Sequence, residues 1–85
     1  MKTVRALLNA SNNKTAGNHG VKHIGTMRYF RYHETIICCV NDYTKQFSVN
    51  HHGWFTQSTT RAINSYIHEL TNSGYTLVSV DGKSV

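Results

Sequence analysis

Apolar and aromatic residues concentrate in the middle of the chain, where they predict two adjacent strands. Met27 to Tyr32 is dense in aromatics, and Thr35 to Val40 is dense in β-branched residues and Cys, compositions that suit a pleated sheet. Because the second segment is apolar on both faces, it should lie centrally in the sheet. The alternation over Gln46 to Asn50 is typical of a half-exposed strand, and turn-forming residues 41–45 should join it to the central strand as a hairpin.

Helical periodicity is strongest between residues 58 and 72, where it predicts the main helix. One apolar stripe recurs at i, i+3, i+4 and i+7, formed by Ile63, Tyr66, Ile67 and Leu70. Ser58 or Thr59 should cap the start of this helix, and Gly74 should end it. Trp54 is expected to close the edge of the sheet. The segment from Tyr75 to Val80 predicts a further strand.

Residues 1–26 are rich in Asn, Lys, Gly, Ser and Thr, which predicts a weakly structured N-terminal segment. Val4, Leu7 and Leu8 have the spacing of a short helix, although a strand over Lys2 to Leu7 is nearly as well supported. Eighty-five residues can bury one modest core but not two. The pattern therefore predicts a single α+β domain over residues 1–85, with a small antiparallel sheet of three to four strands packed against one main α-helix.

A net charge of +5, from nine Lys and Arg against four Asp and Glu, favours an anionic partner. That partner could be nucleic acid or an acidic protein surface. The segment Arg28-Tyr29-Phe30-Arg31-Tyr32 interleaves cations with aromatics, a composition that can hold phosphates and stack on bases; the alternative is that these aromatics pack on a helix. The candidate contact residues are Lys14, Lys22, Arg28 and Arg31, with Arg61 and His68 on the outer face of the predicted helix.

The sequence contains no recognisable catalytic constellation. The four carboxylates fall in four different predicted elements: Glu34, Asp42, Glu69 and Asp81. General acid–base chemistry needs such groups to converge. His19 and His23 have the spacing of half a zinc site, but the neighbours Cys38 and Cys39 point to opposite faces of a strand and cannot supply the other half. We therefore expect a protein that is not an enzyme and has no cofactor or bound metal; a structural zinc site is the alternative.

Membrane and export signals are not expected from this sequence. No stretch approaches the ~20 apolar residues of a membrane helix. The only apolar run near the start, residues 6–8, is too short for a signal peptide. A cytoplasmic location is therefore expected.

Three groups of residues resemble a pattern in small accessory proteins of bacteriophages and prophages. They are Asn13-Lys14-Thr15, then Tyr29-Phe30-x-Tyr32-x-x-Thr35-Ile36-Ile37, then Trp54-x-x-x-Ser58-Thr59-Thr60-x-x-Ile63-Asn64. The resemblance covers about residues 13–67. It implies a compact α+β fold and a phage or mobile-element setting, and it offers no catalytic residues. Short phage proteins of this kind frequently inhibit host machinery, and anti-CRISPR proteins are among them.

Two functions follow as hypotheses. The first is a non-enzymatic inhibitor that binds a host defence protein in the bacterial cytoplasm, such as a CRISPR effector or its RNA complex. Because the chain is basic, it should act through an acidic protein surface or guide RNA rather than by imitating DNA. The alternative is a basic nucleic-acid-binding accessory or regulatory protein. On physical grounds, the residues expected to be structural first are Trp54, Ser58, Ile63 and Tyr66, so Trp54→Ala should lower the melting temperature.

Overall fold

The strands follow one another along the chain and pair in that same order. The computed structural model, which describes residues 1–85, contains helix α1 at Lys2–Leu8 and helix α2 at Gln57–Asn72. The strands are β1 (Lys14–Ala16), β2 (His19–Ile24), β3 (Met27–Tyr32), β4 (Thr35–Asn41), β5 (Gln46–Val49), β6 (Thr76–Val80) and β7 (Lys83–Ser84). All seven form one sheet in the order β1 to β7.

Short turns join most neighbouring strands of this sheet as antiparallel pairs, and α2 joins the one parallel pair. Neighbouring strands are antiparallel from β1 to β5, whereas β5 and β6 are parallel. A parallel pair needs a long crossover, and α2 provides it. The predicted α+β class is therefore confirmed, but the sheet has seven strands rather than three to four, and two helices rather than one pack on it.

The core lies between one face of the sheet and both helices. Across β2 to β5, directly paired residues point to the same face, and one such row is fully buried: Val21, Phe30, Cys38 and Val49. From α2, the predicted stripe contributes Ile63, Tyr66 and Leu70, all buried. The rings of Phe30 and Tyr66 pack with their centroids 4.8 Å apart, which joins the helix to the middle of the sheet.

Residues 1–26, predicted to be weakly structured, instead contain α1, β1 and β2. Two of the few large aliphatic residues of this segment, Val4 and Leu7 of α1, are fully buried in the core. Strand β2 pairs with β3 over six residue pairs. The polar N-terminal segment is thus ordered by a neighbour that is rich in aromatics, which local composition does not show.

The opposite face of the sheet carries no helix. The alternate row across β2 to β5 lies there, formed by Lys22, Tyr29, Cys39 and Ser48. All four are exposed or half-buried. Of the strand cations, Lys22 and Arg31 lie on this open face. Neither helix has the length and apolar character needed to cross a membrane.

Candidate nucleic-acid interface

Two cations of neighbouring strands, Lys22 and Arg31, lie on the open face, and Lys14 of the edge strand lines the same cavity. Lys14, Lys22 and Arg31 line a shallow cavity of about 280 Å³ together with Tyr29. We call these four residues the basic patch. Strand pairing explains their proximity, since Lys22 lies opposite Tyr29 in β3, and Lys14 reaches the cavity from the edge strand, where it pairs with Val21. No carboxylate lines this cavity.

The Arg31 side chain is held in place by neighbours in β1, β2 and the turn after β3. Its Nη1 donates to the His33 carbonyl oxygen at 2.7 Å, and its Nη2 contacts Thr15 Oγ1 at 3.5 Å. The guanidinium lies against Gly20, where an added Cβ would be only 2.7 Å from Nε. Glycine at position 20 therefore makes room for the charged group, whose other N–H donors have no acceptor in the protein.

The carboxylates of the chain are mostly occupied away from the basic patch. The nitrogens of Arg28, Arg5 and His51 contact the carboxylates of Asp42, Glu69 and Asp81, respectively, at 2.8, 3.0 and 2.9 Å. Partial burial opposes ionisation of Asp42, but hydrogen bonds from Arg28 and Tyr75 prevail and lower its pKa. The positive charge of the basic patch is thus not neutralised within the molecule.

Arg28, predicted to contact a partner, belongs to the interior side of the sheet. Its side chain is 11% exposed. Its Nε and Nη2 each donate to Asp42 at 2.8 Å, and its Nη1 donates to the Leu8 carbonyl oxygen at 2.9 Å. Strand alternation explains the difference, because Arg28 shares its face with buried Phe30, whereas Arg31 faces outward. Arg28 is therefore unavailable to a partner.

The two helix candidates, Arg61 and His68, are exposed on α2 and so lie across the sheet from the basic patch. Arg61 lines a different, open cavity beside Phe55. A ring nitrogen of His68 lies 3.2 Å from the Asn72 amide nitrogen, one helical turn along. The structure brings neither residue to the other predicted cations.

Two residues predicted to be structural are exposed instead. Trp54 is 60% exposed and does not close the sheet edge. Ser58 is exposed, and the N-cap of α2 is Thr56, whose Oγ1 accepts a hydrogen bond from the Thr59 backbone N–H at 3.2 Å. Four hydroxyl residues crowd this helix start, so the sequence alone does not reveal which of them has the extended backbone of an N-cap.

A second cavity, of about 340 Å³, was not predicted from the sequence. It lies where the β3–β4 turn meets the start of α2, and its wall includes Tyr32, His33, Glu34, Ile37, Trp54 and Thr56. We call it the aromatic cavity. The Tyr32 ring contacts the tilted imidazole rings of His19 and His33, with centroid separations of 4.7 and 4.3 Å, respectively. The only sequence signal for this cavity was the Trp54-Phe55 pair, two large aromatics next to turn-forming residues.

His51, in the loop after β5, contacts side chains from two other segments of the chain. Its Nδ1 contacts Asp81 Oδ1 at 2.9 Å and its Nε2 lies 3.2 Å from Thr60 Oγ1. The connectivity is that of a hydrolase triad, but the Phe55 ring stacks on the imidazole at 4.6 Å and Thr60 lies within α2. Backbone and side-chain hydrogen bonds from His51 lower the pKa of Asp81. This arrangement ties the loop after β5 to α2 and to the β6–β7 turn.

The remaining reactive groups are two protonated thiols and a dispersed set of possible metal ligands. Burial, reinforced by its neighbour Cys39, raises the pKa of the Cys38 thiol, and burial also raises the pKa of Cys39, so both thiols stay protonated near neutral pH. The His, Cys, Asp and Glu side chains form no group of three or more that could hold a metal ion. Comparisons with family models, curated proteins and solved structures found no match to this chain.

Proposed function

We propose that this protein binds single-stranded nucleic acid through the basic patch. The observation that carries the proposal is the meeting of Lys14, Lys22 and Arg31 around one cavity that contains no carboxylate. Cations without acidic neighbours attract phosphates and release the counterions condensed on them. Lys22, Tyr29 and Arg31 lie on the sheet face that no helix covers, so an extended strand has access to them.

The aromatic member of the patch favours a single strand over a duplex. Tyr29 lies directly beside Lys22 across the β2–β3 pair, and its half-buried ring is held by the sheet. An unpaired base can stack on such a ring while neighbouring phosphates meet the cations. Arg31 is already oriented by the His33 carbonyl and by Gly20, which reduces the side-chain entropy lost on binding.

The test is the salt dependence of binding to a labelled 12-nucleotide single strand, measured by fluorescence anisotropy. Three phosphate contacts predict a slope of log affinity against log salt of about −2, or a roughly 15-fold loss of affinity between 50 and 200 mM salt. The double variant Lys22→Ala/Arg31→Ala removes two contacts and should flatten the slope to about −0.7.

Lys83→Ala is the matched control for this experiment. Lys83 is also an exposed strand cation, but it lies in β7, at the edge of the sheet opposite to β1. The Lys83→Ala substitution should leave both the affinity for the strand and the slope of its salt dependence unchanged. Equal losses in Lys83→Ala and in the double variant would indicate attraction by net charge alone and would contradict a specific patch.

A second candidate function, inhibition of a bacterial host protein by a phage accessory protein, is supported by a different surface. Trp54 and Phe55 are 60% and 70% exposed, and large exposed aromatics often anchor protein interfaces. The partner would be a defence protein such as a CRISPR effector or its RNA complex. Capture of one bacterial protein from nuclease-treated lysate, lost in Trp54→Ala/Phe55→Ala, would favour this function over nucleic-acid binding.

A further inference from the structure

We infer that the aromatic cavity accepts one unpaired base of the strand held at the basic patch. The inference depends on the proposed nucleic-acid binding and adds a second contact to it. In this arrangement the phosphates meet Lys22 and Arg31 on the open face, and a neighbouring base turns over the end of the sheet to stack on Trp54 in the cavity that Tyr32 also lines.

The two cavities are neighbours across one short turn. Arg31 lines the patch cavity, and it donates to the carbonyl oxygen of His33, which lines the aromatic cavity, at 2.7 Å. Successive residues of β4 also separate them, since Ile36 lines the first cavity and Ile37 the second. The two residues between β3 and β4, His33 and Glu34, line the aromatic cavity itself, so the two sites adjoin and one strand can occupy both.

The aromatic cavity offers both aromatic rings and polar groups, which suit the flat face and the polar edge of a base, respectively. Tyr32 forms one wall, with its ring packed on His19 and His33, and Trp54 is 60% exposed, so its side chain remains open to a base. Glu34 and the hydroxyls of Thr56 and Ser58 lie around these rings and can pair with the polar edge of a base.

The same polar groups count against an aliphatic protein side chain as the occupant. Such a side chain would cover the carboxylate and the hydroxyls without offering them hydrogen bonds, which is costly. A volume of about 340 Å³ lies within the range typical of small-ligand pockets. A base still paired in a duplex cannot turn out into the cavity without first breaking its pair, so the cavity should select single strands.

Trp54 is the only tryptophan of the chain, so its emission reports directly on this cavity. The experiment titrates the protein with unlabelled 12-nucleotide single strands, dT12 and dA12, and with a 12-base-pair duplex at 50 mM salt. We expect both single strands to quench Trp54 emission and the duplex to leave it unchanged. In anisotropy measurements with the labelled strand, Trp54→Ala should lower the affinity roughly 5- to 150-fold without changing the salt slope, and Trp54→Phe should retain most of it.

The outcomes separate this inference from the proposed function. Salt-dependent binding of single strands, with constant Trp54 emission and with full affinity in Trp54→Ala, would overturn the inference and leave the basic patch intact. Absence of binding by any strand at 50 mM salt would overturn both. Loss of a captured lysate protein in Trp54→Ala, with oligonucleotide affinity unchanged, would assign the cavity to a protein partner. Because Trp54 is exposed, circular dichroism melting should show that Trp54→Ala remains folded.

Discussion

Arg28 illustrates how its surroundings decide whether a cation can meet a partner. The side chain donates twice to Asp42 and once to the Leu8 carbonyl oxygen, and Tyr75 also donates to Asp42 at 2.6 Å. The Arg28 side chain therefore connects the end of α1 to β3, to the turn after β4 and to the segment before β6. A guanidinium suits this geometry because it can engage two carboxylate oxygens at once.

Arg28→Ala should consequently destabilise the fold rather than weaken binding. Removing one member of a fully buried ion pair costs ~3–5 kcal/mol; because Asp42 is partly exposed, we expect about 2–3 kcal/mol, measured by urea unfolding. Arg31→Ala is the contrasting variant, with a change within about 1 kcal/mol and a clear loss of oligonucleotide affinity. Equal stability of the two variants would contradict these assignments.

For an individual residue, the sequence indicates which face of a strand it occupies better than it indicates the contacts that its side chain makes. Strand alternation placed Arg28 on the same face as Phe30, but only the position of Asp42 shows that the cation is neutralised there. Among the candidate cations, the structure brings Lys22 and Arg31 to one cavity. Trp54 was predicted to close the edge of the sheet, because nothing local shows that the loop around it turns outward.

The start of α2 is the element-scale feature that the sequence left ambiguous. Thr56 has the extended backbone of an N-cap, and its Oγ1 accepts from the Thr59 N–H. Thr56→Ala should therefore cost about 1 kcal/mol in the free energy of unfolding, and Ser58→Ala should cost almost nothing. Thermal melting of the two single variants measures the difference. A larger loss of stability in Ser58→Ala would show that Ser58 caps the helix, as expected from the sequence.

The remaining elements were predictable where their own residues carry the signal. Strand β3 was predicted at its observed bounds, and α2 within one residue at its start. Strands β1 and β7 have three and two residues, too few for any periodicity. The parallel pairing of β5 with β6 depends on how α2 crosses the sheet, a tertiary property that no local pattern contains.

For the whole molecule, the distribution of charge matters more than its sum. Three carboxylates are occupied by Arg5, Arg28 and His51, which leaves Glu34 at the rim of the aromatic cavity. The net charge of +5 thus resides on cations without acidic partners, and three of these meet at the basic patch. The net charge predicts an anionic partner, but it does not indicate which face of the molecule would meet one.

The stability of the whole fold should depend on pH through His19. The residue is 8% exposed, and its Nδ1 has no hydrogen-bond partner. Burial lowers the pKa of His19, and the nearby charges of His33 and Arg31 lower it further. An unfolded histidine titrates near pH ~6.5, so between that value and the lower folded pKa the unfolded chain binds more protons. The free energy of unfolding should therefore fall as the pH decreases below about 6.5.

Urea unfolding at pH 7.5, 6.5 and 5.5 measures this effect. His19→Phe keeps an aromatic ring against Tyr32 but cannot be protonated, so its stability should change less over this range than that of the original chain. His68→Gln is the matched control, because His68 is exposed on α2 and should leave the pH dependence as it is. The carboxylates with lowered pKa, among them Asp42, add their own loss only at lower pH, near and below ~4. A slope between pH 7.5 and 5.5 that persists unchanged in His19→Phe would show that another group loses its proton on folding.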